Sequence, residues 1–179
     1  MWQPEYGKLS YSKVLDVKSP ARANPGDAGI DFYVPEYNQD FFDQLTDKNK
    51  NNKVVIEIND FAQESSIIVG AQSSVLIPSG IKLNVPEGWA LVAFAKSGVA
   101  VKKNLIPGAC VVDHGYQGQL HISLINTSNL LQKISFGEKI IQFLMLPVGS
   151  HFPLEVNEGD LFDISSSRGE GGFGSTGVK

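Results

Sequence analysis

At 179 residues with 42% hydrophobic content, the chain has material for one ordinary domain with its own core plus appendages, and not for a second independent domain. Fifteen basic residues against nineteen acidic ones give a formal charge of −4, which excludes a general cationic surface for a nucleic-acid backbone. No stretch approaches the roughly 18 apolar residues of a membrane span, and MWQPEYGKLSYSK lacks the basic-then-apolar layout of a secretory signal. The expectation is a soluble, cytoplasmic or otherwise intracellular protein, nuclear and viral origins left open, with no nucleic-acid or membrane partner.

Along the chain, Pro25-Gly26-Asp27-Ala28-Gly29-Ile30-Asp31 is the first glycine-rich segment that carries polar groups. Phe41–Leu45 or the stretch after Pro107 is expected to hold a turn at most, as no period-3.6 apolar face runs far enough for a helix. TDKNKNNK, residues 46–53, reads as an exposed loop tip whose lysines serve solubility. Residues 75–85 break at Pro78-Ser79-Gly80, after which Ile81, Leu83 and Val85 alternate with Lys82 and Asn84 as in a half-buried strand after a turn. In Trp89–Ala95 and Ile140–Leu146 both side-chain parities are mostly apolar, so these strands are expected to be covered on both faces, by a tight sandwich or barrel or by a partner subunit. Leu120, Ile122 and Leu124 alternate with His121 and Ser123. The fold class is therefore all-β, with short strands punctuated by Pro and Gly. From Ser165 onward the chain is almost entirely Ser, Gly and single special residues, too little to order itself alone. Yet an arginine, a phenylalanine, five glycines and adjacent Ser175 and Thr176 hydroxyls in that tail have the composition of a ligand clamp.

Each candidate site residue has a bland reading beside a chemical one. Asp113, after two valines and before a glycine corner, can cap a turn or hold a water as general base. Tyr116 can pack as a core ring or present a flat face to a sugar or base. Lys96-Ser97-Gly98 offers an ammonium, a hydroxyl and backbone N–H groups to phosphate oxygens, but its spacing is far too short for a P-loop. Gln142, inside an apolar run, can bridge two strands or point into a pocket. Asp31 can accept in a turn or order magnesium-bound water. The lone cysteine, Cys110, can form no internal disulfide and reads as a small buried side chain; His114, His121 and His151 show no metal-ligand spacing.

Taken in order, PGDAGIDFY (25–33), KSG (96–98), VVDHGYQG (111–118), GEKIIQ (137–142) and RGEGGFGSTG (168–177) resemble the five motifs of the trimeric dUTP pyrophosphatase (dUTPase) family. The resemblance spans residues 25–177 and implies a jelly-roll-like homotrimer with a flexible C-terminal arm. It divides the chain into a β domain over 1–164, with an insertion within 34–73 near residues 39–59, and a glycine-rich arm over 165–179. It further implies Mg²⁺-dependent hydrolysis of dUTP to dUMP and pyrophosphate, with Asp113 activating the water that attacks the α-phosphorus. Tyr116 would lie under the deoxyribose and exclude a ribose 2′-hydroxyl, while the backbone of about residues 108–112 reads uracil. Lys96, Ser97, Gly98 and Gln142 would hold the phosphates, and Asp31 would serve the metal through its water. On the arm, Arg168, Ser175 and Thr176 would reach the outer phosphates and Phe173 would stack over the base, with Gly174 also among the substrate-binding residues.

The sequence departs from the family at Lys96, where arginine is usual, at Gly115, where aspartate is frequent, and at Cys110, often glycine. Lysine keeps the charge but lacks the planar fork. Two further readings are a dCTP deaminase, a relative that usually lacks the arginine-and-phenylalanine tail, and a dUTP-binding trimer without catalysis or with an additional partner at residues 34–73.

Overall fold

The structure, a computed structural model, describes residues 8–52, 54–59, 64–149, 151–162, 164, 166 and 169. The chain divides into two compact units, Met1–Gly149 and Ser150–Lys179. The first opens with β1 (Ser10–Lys13), β2 (Ile30–Tyr33) and helix α1 (Gln39–Lys48), followed by β3 (Val54–Asn59), β4 (Glu64–Val69), β5 (Ser74–Asn84) and β6 (Trp89–Ala95). Helix α2 (Ser97–Lys103), β7 (Leu105–Pro107), β8 (Val111–Val112), β9 (Gln119–Asn126), β10 (Gln132–Ser135) and β11 (Lys139–Pro147) complete it. In the second unit the described residues hold one short element, a 3₁₀ turn at Glu158–Asp160.

The strands form two four-stranded sheets, β1-β5-β9-β7 and β2-β11-β6-β8, and a three-stranded sheet, β10-β4-β3. Every pairing is antiparallel. The inward residues of all three sheets join one core, with Ile77 and Ile122 from the first, Phe32, Leu91 and Ile141 from the second, and Ile67 and Ile134 from the third. On β9 the period-2 pattern emerges as expected, with Leu120, Ile122 and Leu124 buried and alternating with half-buried His121 and Ser123 and exposed Ile125. On β6 and β11 consecutive residues are buried, Ala90 with Leu91 and Ile140 with Ile141, while Phe94 remains 42% exposed.

Pro78-Ser79-Gly80 does not end a strand. Strand β5 runs through it, and its register against β9 slips: from Pro78 to Lys82 β5 advances four residues while β9 goes from His121 to Gln119. Proline has no N–H to give the ladder, Gly80 takes the left-handed φ of +71°, and the buried Ser79 hydroxyl accepts from the Ile81 amide at 3.1 Å. The orphaned Gly80 carbonyl is met by Val14 N–H at 2.8 Å. The breakers are real, but their outcome is a bulge that bends one strand.

Helix α1 replaces the turn expected at Phe41–Leu45 and takes in the start of the polar tip, while the stretch after Pro107 holds no helix and α2 stands at Ser97–Lys103, where none was expected. Asn38 caps α1, its side chain accepting from the Phe41 amide at 2.8 Å, with Asp40 in the first turn and Lys48 in the last. Phe41 and Leu45, four residues apart, are fully buried, and their burial contributes about 2–3 kcal/mol each. A two-residue apolar face is too short to stand out as a period, which is why the sequence pattern missed it. Asn49, inside the supposed exposed tip, is buried at 6% exposure. Its amide donates to the carbonyls of Leu45 (2.7 Å) and Leu76 (2.9 Å) and accepts from Leu76 N–H (2.9 Å), fastening the helix end to β5.

Candidate active site

The end of β6, the first turn of α2 and the start of β11 frame an open basin of about 400 Å³ lined by Lys96, Ser97, Gly98, Lys102, Lys139 and Gln142, among others. The four residues of the β domain expected to hold phosphates, Lys96, Ser97, Gly98 and Gln142, share it. A side chain at Gly98 would meet nothing within 4 Å, so the backbone there is open to a ligand. The amides of Ser97 and Gly98, first in α2, have no acceptor within the helix. Gln142 both bridges strands and lines the basin: its Nε2 donates to Ala95 carbonyl at 2.9 Å, and its Oε1 lies against the Cα of Gly29. Any Cβ at position 29 would overlap that amide, which explains the glycine beside Ile30-Asp31.

Behind the basin, Asp31 is buried, its side chain 5% exposed, and carries two ammonium partners. Lys96 binds Oδ1, and Lys139 Nζ lies 3.2 Å from Oδ2. One lysine reaches only one carboxylate oxygen, so two lysines cover what a planar fork would take alone. Around the rim, Lys103 pairs with Glu138 at 2.6 Å. The four lysines of the lining, Lys96, Lys102, Lys103 and Lys139, outnumber the two carboxylates Glu138 and Asp31, so the basin is cationic in a chain that is anionic overall.

A second group sits where β8 ends. Strand β8 pairs with β6 through Leu91–Val112 and Val92–Val111, and Cys110 carbonyl accepts from Ala93 N–H at 2.7 Å. Asp113 then begins a turn closed by the Tyr116 amide on its carbonyl at 3.4 Å, with Gly115 at φ +84°. That left-handed angle favours glycine over aspartate at position 115. Among the described residues no donor meets the exposed Asp113 carboxylate, so it caps no turn through its side chain. Tyr116, 46% exposed, is not a core ring; it lies over Gly118 and its hydroxyl donates to Gln119 carbonyl at 2.9 Å. His114 is used structurally, its Nδ1 2.9 Å from Val85 carbonyl. Cys110 is half-buried, not buried, because its Sγ turns to Gly108 carbonyl at 3.3 Å. Gly108 itself packs against Ser123, whose hydroxyl would occupy the place of any side chain there.

Asp113 and Tyr116 do not line the phosphate basin. Lys102 and Lys139, which do, were not singled out by the sequence reading, although GEKIIQ contains Lys139. Arg168, Phe173, Gly174, Ser175 and Thr176 lie outside the described residues. His121 belongs to neither group; burial lowers its pKa below the usual 6.5. A magnesium ion needs hard oxygen ligands, and the described residues hold no group of three or more acidic or imidazole side chains to cage one. Both oxygens of Asp31 already face ammonium groups. These residues form no inner-sphere cage for a metal, so any magnesium here would take its inner ligands from water and substrate phosphates.

The dUTPase family model matches residues 58–177, two thirds of the chain. The chain belongs to the dUTPase family. It is accordingly a hydrolase of nucleotide metabolism. The deoxyuridine 5′-triphosphate nucleotidohydrolase of Hydrogenobaculum sp. is 34% identical over 124 residues, covering 66% of this chain and 81% of that protein. Its counterpart in Wolbachia pipientis is 29% identical over 177 residues, covering 97% and 94%. Among solved structures, the Staphylococcus bacteriophage 80alpha dUTPase with dUPNHPP superposes with a TM-score of 0.71 at 23% identity, over 96% of this chain and 99% of that one. The dUTPase of S. aureus phage phi11, whose structure visualises a species-specific insert, gives 0.63 at 18% identity over 87% and 100%. The β-rich fold of this chain is thus that of the dUTPase structures.

Proposed function

We propose that the chain hydrolyses dUTP to dUMP and pyrophosphate, with Asp113 as general base, and that it works as a homotrimer. The observation that carries this reading is the basin itself, which gathers Lys96, Ser97, Gly98 and Gln142, drawn from two separated motifs, into one cationic cleft suited to a polyphosphate.

Asp113 takes a proton from water while the water oxygen bonds to the α-phosphorus and the bond from that phosphorus to the bridging oxygen breaks, releasing pyrophosphate. An unpaired, exposed carboxylate at the end of a strand suits this step, since a base needs hydrogen-bond reach above all. The ammonium groups of the basin offset charge on the departing pyrophosphate. Tyr116 lies beneath the sugar and leaves no room for a 2′-hydroxyl, and the backbone of residues 108–112 reads uracil, where a mismatched base leaves polar groups unpaired. Magnesium belongs to this reading as part of the substrate, the Mg²⁺–dUTP chelate. Since the base and the phosphate grip do not share a pocket within one subunit, assembly completes the site by bringing Asp113 and Tyr116 of one subunit to the basin of another. The C-terminal arm, with Arg168, Phe173, Gly174, Ser175 and Thr176, closes over the bound triphosphate.

One turnover panel over dUTP, dCTP, dTTP and UTP with Mg²⁺ tests substrate, base choice and sugar choice together. Hydrolysis of dUTP to pyrophosphate with the other three nearly untouched is expected. Comparable turnover of dCTP, or ammonia release from it, would overturn the base specificity.

A further inference from the structure

Resting on the reading of the basin as a triphosphate site, we propose that Lys139 is a second phosphate-binding cation, and that Asp31 is the positioning residue that holds Lys139 and Lys96 at the rim rather than a group that serves a metal. Lys139 is the first residue of β11 and faces Tyr33 across the β2–β11 ladder. From there its ammonium spans to Asp31 Oδ2 at 3.2 Å while the side chain stays 48% exposed. An ammonium has three donors, and the carboxylate engages one of them, leaving others for a ligand in the basin that Lys139 lines.

Charge decides between the two roles of Asp31. A buried carboxylate is tolerated only when paired, and here one carboxylate faces two ammonium groups, so the triad keeps a surplus positive charge. Lys102 adds another, since among the described residues no ion pair engages it. A hydrated dication brought to Asp31 would meet a carboxylate whose charge two ammonium groups already outweigh, and would sit beside two or three cations. A phosphate brought to the same place meets the surplus charge and unused donors directly. Asp31 therefore acts from behind, restricting two long side chains that would otherwise lose much rotamer freedom on binding.

The test is binding of an α,β-imido analogue of dUTP to the full chain in EDTA, with dUMP as the control that lacks the outer phosphates. Lys139→Gln should weaken the analogue roughly tenfold, as for loss of one charge-assisted hydrogen bond, and leave dUMP unchanged; Lys139→Arg should restore the analogue. In an Asp31→Asn background the same Lys139→Gln change should cost less than about threefold, because the ammonium is no longer held in place. The Mg²⁺ concentration for half-maximal turnover should be the same in Asp31→Asn as in wild type. Wild-type affinity for the analogue in Lys139→Gln overturns the proposal, as does an Asp31→Asn protein that needs more Mg²⁺ while the Lys139 effect stays intact. Should Asp31→Asn fail to fold, the Lys139 arms still decide. A wild-type protein that neither binds the analogue nor hydrolyses dUTP refutes the dUTPase reading itself, which is a separate outcome.

Discussion

Gly118→Ala isolates the contribution of the Tyr116 ring to sugar choice. Position 118 has no left-handed backbone angle that would penalise alanine, so the effect arises from space alone. The added Cβ would lie 2.6 Å from Tyr116 Cζ, against about 3.5–4.0 Å for a relaxed carbon contact, so the ring must retreat by roughly 1 Å or change rotamer. Retreat strains or breaks the hydroxyl bond to Gln119 carbonyl, worth about 1 kcal/mol. Off-rotamer strain adds a similar amount. Tyr116 is half-exposed, so fold stability should fall by only about 1–2 kcal/mol. Catalysis is more sensitive, because misplacing a positioned group by about 1 Å can cost roughly 100-fold. The kcat/KM for dUTP should fall at least tenfold with that for UTP little changed, so that the ratio between them narrows. Steady-state kinetics on both nucleotides and a urea melt measure the two effects side by side. Tyr116→Phe is the control, since it keeps a ring over Gly118 and should retain discrimination. If Gly118→Ala loses stability but keeps the dUTP to UTP ratio of wild type, Tyr116 does not police the sugar.

Three other perturbations probe separate parts of the structure. Asp113→Asn should bind the imido analogue as wild type but lose about 100-fold to 10,000-fold in kcat, the usual worth of a general base; full activity would remove Asp113 from that role. Deleting residues 168–179 should leave the protein folded and sharply reduce hydrolysis, and an unchanged kcat/KM would defeat the clamp. Asn49→Ala should destabilise the fold by about 2–4 kcal/mol, since it leaves the Leu76 N–H and C=O and the Leu45 carbonyl without their partner in a buried place. Chemical denaturation measures this, and a loss under about 0.5 kcal/mol would show that water replaces the amide.

Strand content and the site's residue types were legible in the chain because both depend on local pattern. Period-2 alternation in Leu120–Leu124 marks a half-buried strand whatever surrounds it, and the ordered glycine-and-polar motifs identify the family without coordinates. Helix α1 was not legible, because only Phe41 and Leu45 face the core and Asn49 declares its purpose only beside Leu76, twenty-seven residues away. Nor could Pro78-Ser79-Gly80 reveal whether it ends β5 or bends it, since a bulge depends on which strand lies alongside. The same limit applied to the site. Sequence named Asp31, Lys96 and Gln142 as separate candidates, but folding brings β2 beside β11 and β11 beside β6, and that adjacency seats Gln142 on Gly29 and sets two ammonium groups on one buried carboxylate. A carboxylate's chemical role follows from what its oxygens face. That depends on long-range strand register, which no local pattern encodes.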